Sequence, residues 1–313
     1  MRVNLNMSEG EVEAVNSSCC ASCGIAELDD IKLTECDNCD LVKYCSDECQ
    51  NNHELEHEEA CKKRAAELRD ELLFKQPESN PLGDCLICTL PLSLDRKKST
   101  MYECCSKVIC NGCRYANIKR EMEMRLQSSC PFCRESMNIT KEEQDKRHMK
   151  RIEANDPVSL YIEGRQQYDK GDYIRAFEYW KNAAELGYAD AHYKLARLYD
   201  LGKGVEKDEG KEIFHAEEAA IRGHPKARLC LGCHENKNGN NERAMKHVII
   251  AASQGDDISI KALMNFFKAG LVEKDVLTAT LRAHKAAVDA TKSPQRKVAE
   301  EAISKYRSVN DES

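Results

Sequence analysis

Residues 36–61 read CDNCDLVKYCSDECQNNHELEHEEAC, with five cysteines and two histidines in twenty-six residues. A stretch this dense in thiols is a disulfide framework, a reactive thiol site or a metal site. Only 6% of the 313 residues are aromatic and 32% are charged, so several small cores fit the chain better than one large one. No run approaches the roughly eighteen apolar residues of a membrane span, and the opening MRVNLNMSEGEVEAVNSS lacks the apolar stretch of a secretory signal. The expectation is an intracellular protein, cytoplasmic, nuclear or both, with no membrane partner. In a reducing compartment eighteen cysteines are not expected to pair, and close CxxC pairs point to metal, zinc first. The formal charge of −7 argues against a general nucleic-acid binder, which would present a basic face.

The cysteines fall into two clusters, Cys19 to Cys61 and Cys85 to Cys133, with Cys230 and Cys233 far beyond. The first cluster contains Cys20-x2-Cys23, Cys36-x2-Cys39, Cys45-x3-Cys49 and His57-x3-Cys61. Zinc takes four tetrahedral sulfur or nitrogen ligands; a two-residue gap lets a turn aim both thiolates at one ion, and a three-residue gap does so across one helical turn. Two ions use all four pairs, and spacing alone does not show which pairs share an ion. SDECQNNHELEHEEACKKRAAEL reads as helical, so Cys45 with Cys49 and His57 with Cys61 would each share a helix face.

The run YCSDECQ, with Cys49-x7-His57-x3-Cys61 and Val42 two places before Tyr44, resembles a MYND zinc finger over residues 20 to 61. The resemblance implies interleaved pairs: one zinc on Cys20, Cys23, Cys45 and Cys49, the other on Cys36, Cys39, His57 and Cys61. The twelve residues between Cys23 and Cys36 are slightly more than the pattern has, and Cys19 is the alternative to Cys20. His53 reads as a solvated helix residue.

The second cluster reads CLIC, ECCSKVICNGC and CPFCRE. It resembles a RING finger, whose cross-brace implies one zinc on Cys85, Cys88, Cys110 and Cys113 and another on Cys104, Cys105, Cys130 and Cys133. About four zinc ions, two per finger, follow for the whole chain. The departure lies in the middle: Lys107 stands where a histidine commonly lies, and Cys104 and Cys105 are adjacent, which requires a distorted backbone. In active members of that family an apolar residue between the first two ligands and a proline in the last CPxC contact a ubiquitin-conjugating enzyme, and a cation after the final cysteine contacts ubiquitin. Ile87, Pro131 and Arg134 match those places. Asn117 does not match the bulky apolar residue often found on the central helix. The plain alternative makes Ile87 core, Pro131 a stiffener and Arg134 solvated. Neither cluster offers a nucleophile of its own, so catalysis would act by positioning a charged partner enzyme.

From about residue 155 the chain repeats, with Gly187, Gly223 and Gly255 each closing an alanine-rich helix at periods of thirty-six and thirty-two residues. Ala183, Ala184, Ala219, Ala220, Ala251 and Ala252 permit close helix approach, and each unit shows two amphipathic patterns, the mark of a helical solenoid. The first unit, with YDLGKGVEKD between its helices, resembles the Sel-one-like repeat. Trp180 reads as core; Cys230 and Cys233 read as small residues packed between helices rather than as ligands. His192, His215, His224, His234, His247 and His284 lack a second ligand at metal spacing. Ser293 before Pro294 predicts a capped, polar closing helix.

The expected fold is mainly α, two small cross-brace zinc modules followed by a helical solenoid. Its segments are a disordered 1–18, a MYND-type finger at 19–61, helix and linker at 62–84, and a RING-type finger at 85–134. A charged, solvated helical linker at 135–154, repeats at 155–292 and a closing helix with tail at 293–313 complete the chain. Two functions are open: a RING-type ubiquitin ligase that selects substrates through its first finger and repeats, and a non-enzymatic adaptor. The MYND resemblance implies binding of proline-containing peptides under either. A lysine methyltransferase, suggested because MYND fingers also accompany SET domains, is set aside because no SET-like segment is present.

Overall fold

A computed structural model describes residues 19–28 and 30–311, with side chains to residue 305; the segment 1–18 expected to be disordered lies outside the described residues. The fold is mainly α-helical and falls into two units that meet in sequence at Leu73 and Phe74.

In the first unit, β1 (Thr34–Glu35) pairs antiparallel with β2 (Lys43–Tyr44), and α1 (Asp47–Phe74) follows. Its small core is Leu33 and Tyr44 packed among the cysteines, as expected of a polar segment with little else to fold around. Arg64 of α1 forks onto Asp40 through Nε–Oδ1 (2.7 Å) and Nη2–Oδ2 (2.9 Å), tying the helix to the loop before β2. That guanidinium also holds the Asp40 carboxyl below the usual carboxylate range.

The second unit opens with a second cysteine-rich module. A 3-10 turn (Arg96–Lys98) leads into β3 (Ser99–Tyr102), which pairs antiparallel with β4 (Lys107–Cys110), and α2 (Asn111–Glu123) follows at once. Leu92, Tyr102 and Ile109 form its core with the cysteines. Helix α3 (Lys141–Glu153) buries no residue and is largely solvated, as its charge pattern suggested, but three of its side chains make specific contacts. Arg147 pairs with Glu135 (2.9 Å), Arg151 reaches Asp156 (2.6 Å) and the Cys104 carbonyl (3.5 Å), and His148 meets the buried Glu163 (3.0 Å). These three side chains link the module to the repeats.

The repeats comprise α4 (Pro157–Asp169), α5 (Tyr173–Glu185), α6 (Ala189–Leu201), α7 (Glu209–Ile221), α8 (Pro225–Lys237), α9 (Asn241–Ser253), α10 (Asp257–Lys268) and α11 (Lys274–Ala290). Helix α4 packs on α5, α6 on α7 and α8 on α9, and each hairpin stacks on the next. Asp156, Asp172, Asp208 and Asp256 accept the N–H three residues on and so cap α4, α5, α7 and α10. Gly187, Gly223 and Gly255 end α5, α7 and α9 at φ 80°, 85° and 94°, a conformation that glycine takes without penalty.

The six paired alanines of the repeat are buried, which brings the helix axes close. Trp180 is 1% exposed among Leu160, Leu195 and Leu198, with its Nε1 donating to the Tyr161 carbonyl at 3.1 Å. Cys230 and Cys233 depart from expectation: Ala227, Leu231 and Gly232 take the inward positions of α8, leaving Cys230 half-buried and Cys233 exposed. The closing helix α12 (Pro294–Asp311) is capped by Ser293, whose Oγ accepts the Arg296 N–H at 3.2 Å, but it is not simply polar: it packs on α2.

Candidate metal centres

All eighteen cysteines are free thiols, and fifteen of them, with His57, gather into four groups of four. Within each group the ligand atoms lie within 4.8 Å of one another. The first unit holds Cys20, Cys23, Cys45 and Cys49 in one group and Cys36, Cys39, His57 and Cys61 in the other. The second module holds Cys85, Cys88, Cys110 and Cys113, then Cys104, Cys105, Cys130 and Cys133. In both, pairs alternate along the chain between the two groups, so each group ties together segments that are distant in sequence.

The separations suit zinc. Bonds of about 2.3 Å to four thiolates set the edges of the tetrahedron at roughly 3.8 Å, while a disulfide would require about 2.05 Å. Sulfur pairs stand at 3.5 Å for Cys23–Cys45 and Cys45–Cys49, 3.8 Å for Cys36–Cys61 and Cys88–Cys110, 3.6 Å for Cys105–Cys130 and 3.4 Å for Cys104–Cys133. His57 presents Nε2 to Cys39 Sγ at 3.1 Å.

Three of the CxxC pairs are built alike. Cys20 to Gly24, Cys85 to Thr89 and Cys130 to Arg134 each close with a backbone bond from the fifth residue to the first (2.9, 2.8 and 3.0 Å). A short bridge flanks each, Cys19 to Ala26, Asp84 to Pro91 and Ser129 to Ser136. The fifth residue has a positive φ in all three, 76° at Gly24, 55° at Thr89 and 59° at Arg134. This register assigns Cys20 to the group and Cys19 to the flanking bridge. Cys45 lies just before α1 rather than on it, so its partner Cys49 alone of the two is helical.

The vicinal pair shows the distortion its sequence demands. Ser106 holds φ 53° in the turn between β3 and β4, and Cys104 and Cys105 both join one group. Lys107 sits in β4 opposite Tyr102, exposed. Cys110 serves twice: it is a ligand candidate, and its sulfur caps α2 by accepting the Cys113 N–H at 3.4 Å. The positive end of that helix therefore faces the thiolates.

Crowded thiols cannot all ionise unless a cation lies among them. Burial raises the Cys85 thiol, but N–H groups of Cys88, Cys110 and Ile87 outweigh it and bring it down to about 6. Burial and then the Cys133 and Cys130 sulfurs push Cys104 up instead. A divalent cation removes that conflict, and the donor set, fifteen thiols and one imidazole, is the one zinc selects. Four zinc ions, two per module, fit the four groups.

His53 is not solvated. Its ring stacks on His57 at 5.7 Å between centroids, and its Nδ1 lies 3.1 Å from the hydroxyl of the buried Tyr44, so it supports the ligand from behind. Spacing four residues before His57 was the signal that sequence reasoning passed over. His192 and His215 also meet, Nδ1 to Nδ1 at 3.1 Å, as a packed pair between repeats.

Ile87 is 47% exposed and beside it Leu86 is 53% exposed, so neither is core. Pro131 is half-buried and Arg134 exposed, while Asn117 donates to the buried Glu121 at 3.0 Å. A cleft of about 1330 Å³ lies between the second module and the last repeats, and its lining includes three ion pairs: Lys98 with Glu300, Lys292 with Asp289, His284 with Asp257. Among the described residues no helix is long and apolar enough to cross a membrane.

Comparison with known proteins agrees with this division. The MYND finger family matches residues 20–61, and the Sel1 repeat family matches 159–188, 189–224 and 236–256. No curated protein matches the chain. Among solved structures, the chain is similar to a Sel1 repeat protein from Oxalobacter formigenes, with 25% identity over 48% of this chain and 66% of that one at a TM-score of 0.41. It is also similar to c5321, a protective antigen of uropathogenic Escherichia coli strains displaying an SLR fold, with 18% identity over 52% of this chain and 36% of that one at a TM-score of 0.37. The chain thus joins a MYND finger to Sel1 repeats, both protein-interaction modules, with an eight-cysteine module between them.

Proposed function

We propose that the protein is an intracellular RING-type ubiquitin ligase. In this reading residues 85–134 hold a ubiquitin-conjugating enzyme, and the MYND finger and the repeats select the substrate. No RING-family match covers that module, and the reading rests on its cross-brace and on one surface. The observation that carries it is the exposure of Ile87 and Arg134 beside half-buried Pro131, on the pair of knuckles where the resembling family contacts its enzyme. The chain itself forms no covalent intermediate; it raises the rate by holding the thioester of the partner enzyme beside the acceptor lysine. Proline-containing peptides are the proposed ligands of the MYND finger, and nucleic acid is not a proposed partner.

The adaptor reading is favoured by one observation. Asn117 and Glu121 make the central helix polar where the resembling family is apolar, and Glu121 is already engaged by Asn117 and by the Ser129 N–H at 3.3 Å. Self-ubiquitination by the purified chain with a panel of conjugating enzymes separates the two. Ubiquitin chains that disappear in Ile87→Ala and Arg134→Ala, with bound zinc unchanged, support the ligase. Their absence with every enzyme, at full zinc, leaves the adaptor.

A further inference from the structure

The last helix reaches back to a metal centre formed more than 180 residues earlier. Arg296 is 8% exposed, and its guanidinium makes a fan of bonds into the second module. Nη2 donates to Cys88 Sγ at 3.4 Å and to the Leu90 carbonyl at 3.0 Å; Nη1 donates to the Pro91 carbonyl at 2.6 Å and to the Thr291 carbonyl at 2.6 Å. The module is shaped to receive it. A Cβ on Gly112, the residue before ligand Cys113, would lie 2.9 Å from Arg296 Cγ and 3.0 Å from its Cα, so only glycine lets α12 come this close. One turn further on, Lys98 of the 3-10 turn and Glu300 make an exposed surface pair at 3.0 Å, of a kind that contributes little.

We propose that Arg296 is a positioning residue of the Cys85, Cys88, Cys110 and Cys113 zinc centre, and that α12 is therefore an integral part of the second module. A zinc ion with four thiolates carries a formal charge of −2, and a guanidinium held against one of them offsets part of it. An N–H donated to a ligand sulfur lowers its basicity, which slows protonation and loss of the ligand. The planar fork spans sulfur and carbonyls at once, and a lysine has no such geometry. Cys88 is the half-buried ligand of the four, and Arg296 covers it. The sequence hides this because 208 residues separate the two partners.

The test is zinc release from the full-length protein into excess 4-(2-pyridylazo)resorcinol at neutral pH, for wild type, Arg296→Ala, Arg296→Lys and Glu300→Gln. Outer partners of metal ligands are worth roughly 10–100-fold in metal affinity, so one of the four ions should leave about 10-fold or more faster in both Arg296 variants. The two ions of the first module should leave as in wild type, with unchanged helical circular dichroism, and Glu300→Gln should release as wild type does. The proposal is overturned by unchanged release in Arg296→Ala and Arg296→Lys. It is overturned equally by loss of all four ions together, which would mean general unfolding. It rests on zinc at this centre: fewer than four ions in the wild type would overturn that assignment first, an outcome distinct from four ions with unchanged release.

Discussion

Gly24 and Arg134 occupy the same place in two knuckles, each one residue past the second cysteine of its pair and each at positive φ, 76° and 59°. In the first module the chain uses the residue that takes this conformation freely; in the second it uses an exposed arginine and accepts the strain. Thr89 holds the same place in the other knuckle of the second module, at 55°.

Arg134→Gly should keep four zinc ions and raise stability by about 1 kcal/mol by relieving left-handed backbone strain, whereas Arg134→Ala should not. Under the ligase reading both variants lose ubiquitin transfer. Thermal unfolding alongside zinc content checks this, and loss of zinc in Arg134→Gly would mean that the side chain itself supports the knuckle.

Cys110→Ser removes a zinc ligand while leaving a hydroxyl that can still cap α2. Zinc supplies on the order of 10 kcal/mol of folding free energy in such small modules, so the second module should unfold and the chain should retain about two ions. The helical signal of the repeats should persist, because neighbouring repeats stabilise one another. Metal analysis with circular dichroism reads both, and a full zinc complement would contradict the assignment.

Gly164→Ala tests the first repeat. The added Cβ would lie 2.5 Å from Trp180 Cδ1 and Nε1, inside a filled core. Overpacking of this kind costs about 1–3 kcal/mol. As Trp180 is the single tryptophan, its fluorescence reports the site directly. The emission should shift and the unfolding midpoint should fall; an unchanged spectrum would mean that the two helices are not so close.

Both carboxylate oxygens of Asp190 accept from Arg96 Nη2, at 2.6 and 2.7 Å, and Oδ1 lies 3.2 Å from His224 Nε2. Burial raises its pKa, but His224 and Arg96 outweigh burial and bring it to about 2. The folded value lies below the unfolded one, so the contribution is fully present above about pH 4 and is lost as the pH falls toward 2. That shift corresponds to about 2 kcal/mol. Asp190→Asn should therefore be less stable than wild type by about that amount at pH 7, and the gap should close between pH 4 and 2. Urea unfolding across that range decides it; a gap independent of pH would assign the effect to packing.

The four groups of candidate ligands were legible because thiol spacing is local: a knuckle fits in five residues and declares itself in any order of domains. The repeat was legible from alanine and glycine at a fixed period. What joins the second module to the repeats was not. Arg96 with Asp190 and Arg296 with Cys88 are separated by 94 and 208 residues, and a single arginine in a charged helix carries no mark of its partner. The contacts that Arg147, His148 and Arg151 make from the largely exposed α3 were hidden for the same reason. Cys233 faces outward because the phase of α8 is set by Ala227, Leu231 and Gly232, which leaves the cysteines one position to either side of the inward pair.

Native mass spectrometry of the intact chain, with rapid alkylation of accessible thiols, tests the central claim most directly. The account predicts four zinc ions per chain, fifteen cysteines protected, and labelling confined to Cys19, Cys230 and Cys233. Two ions or fewer, or rapid labelling of Cys104 and Cys105 at full metal, would contradict it.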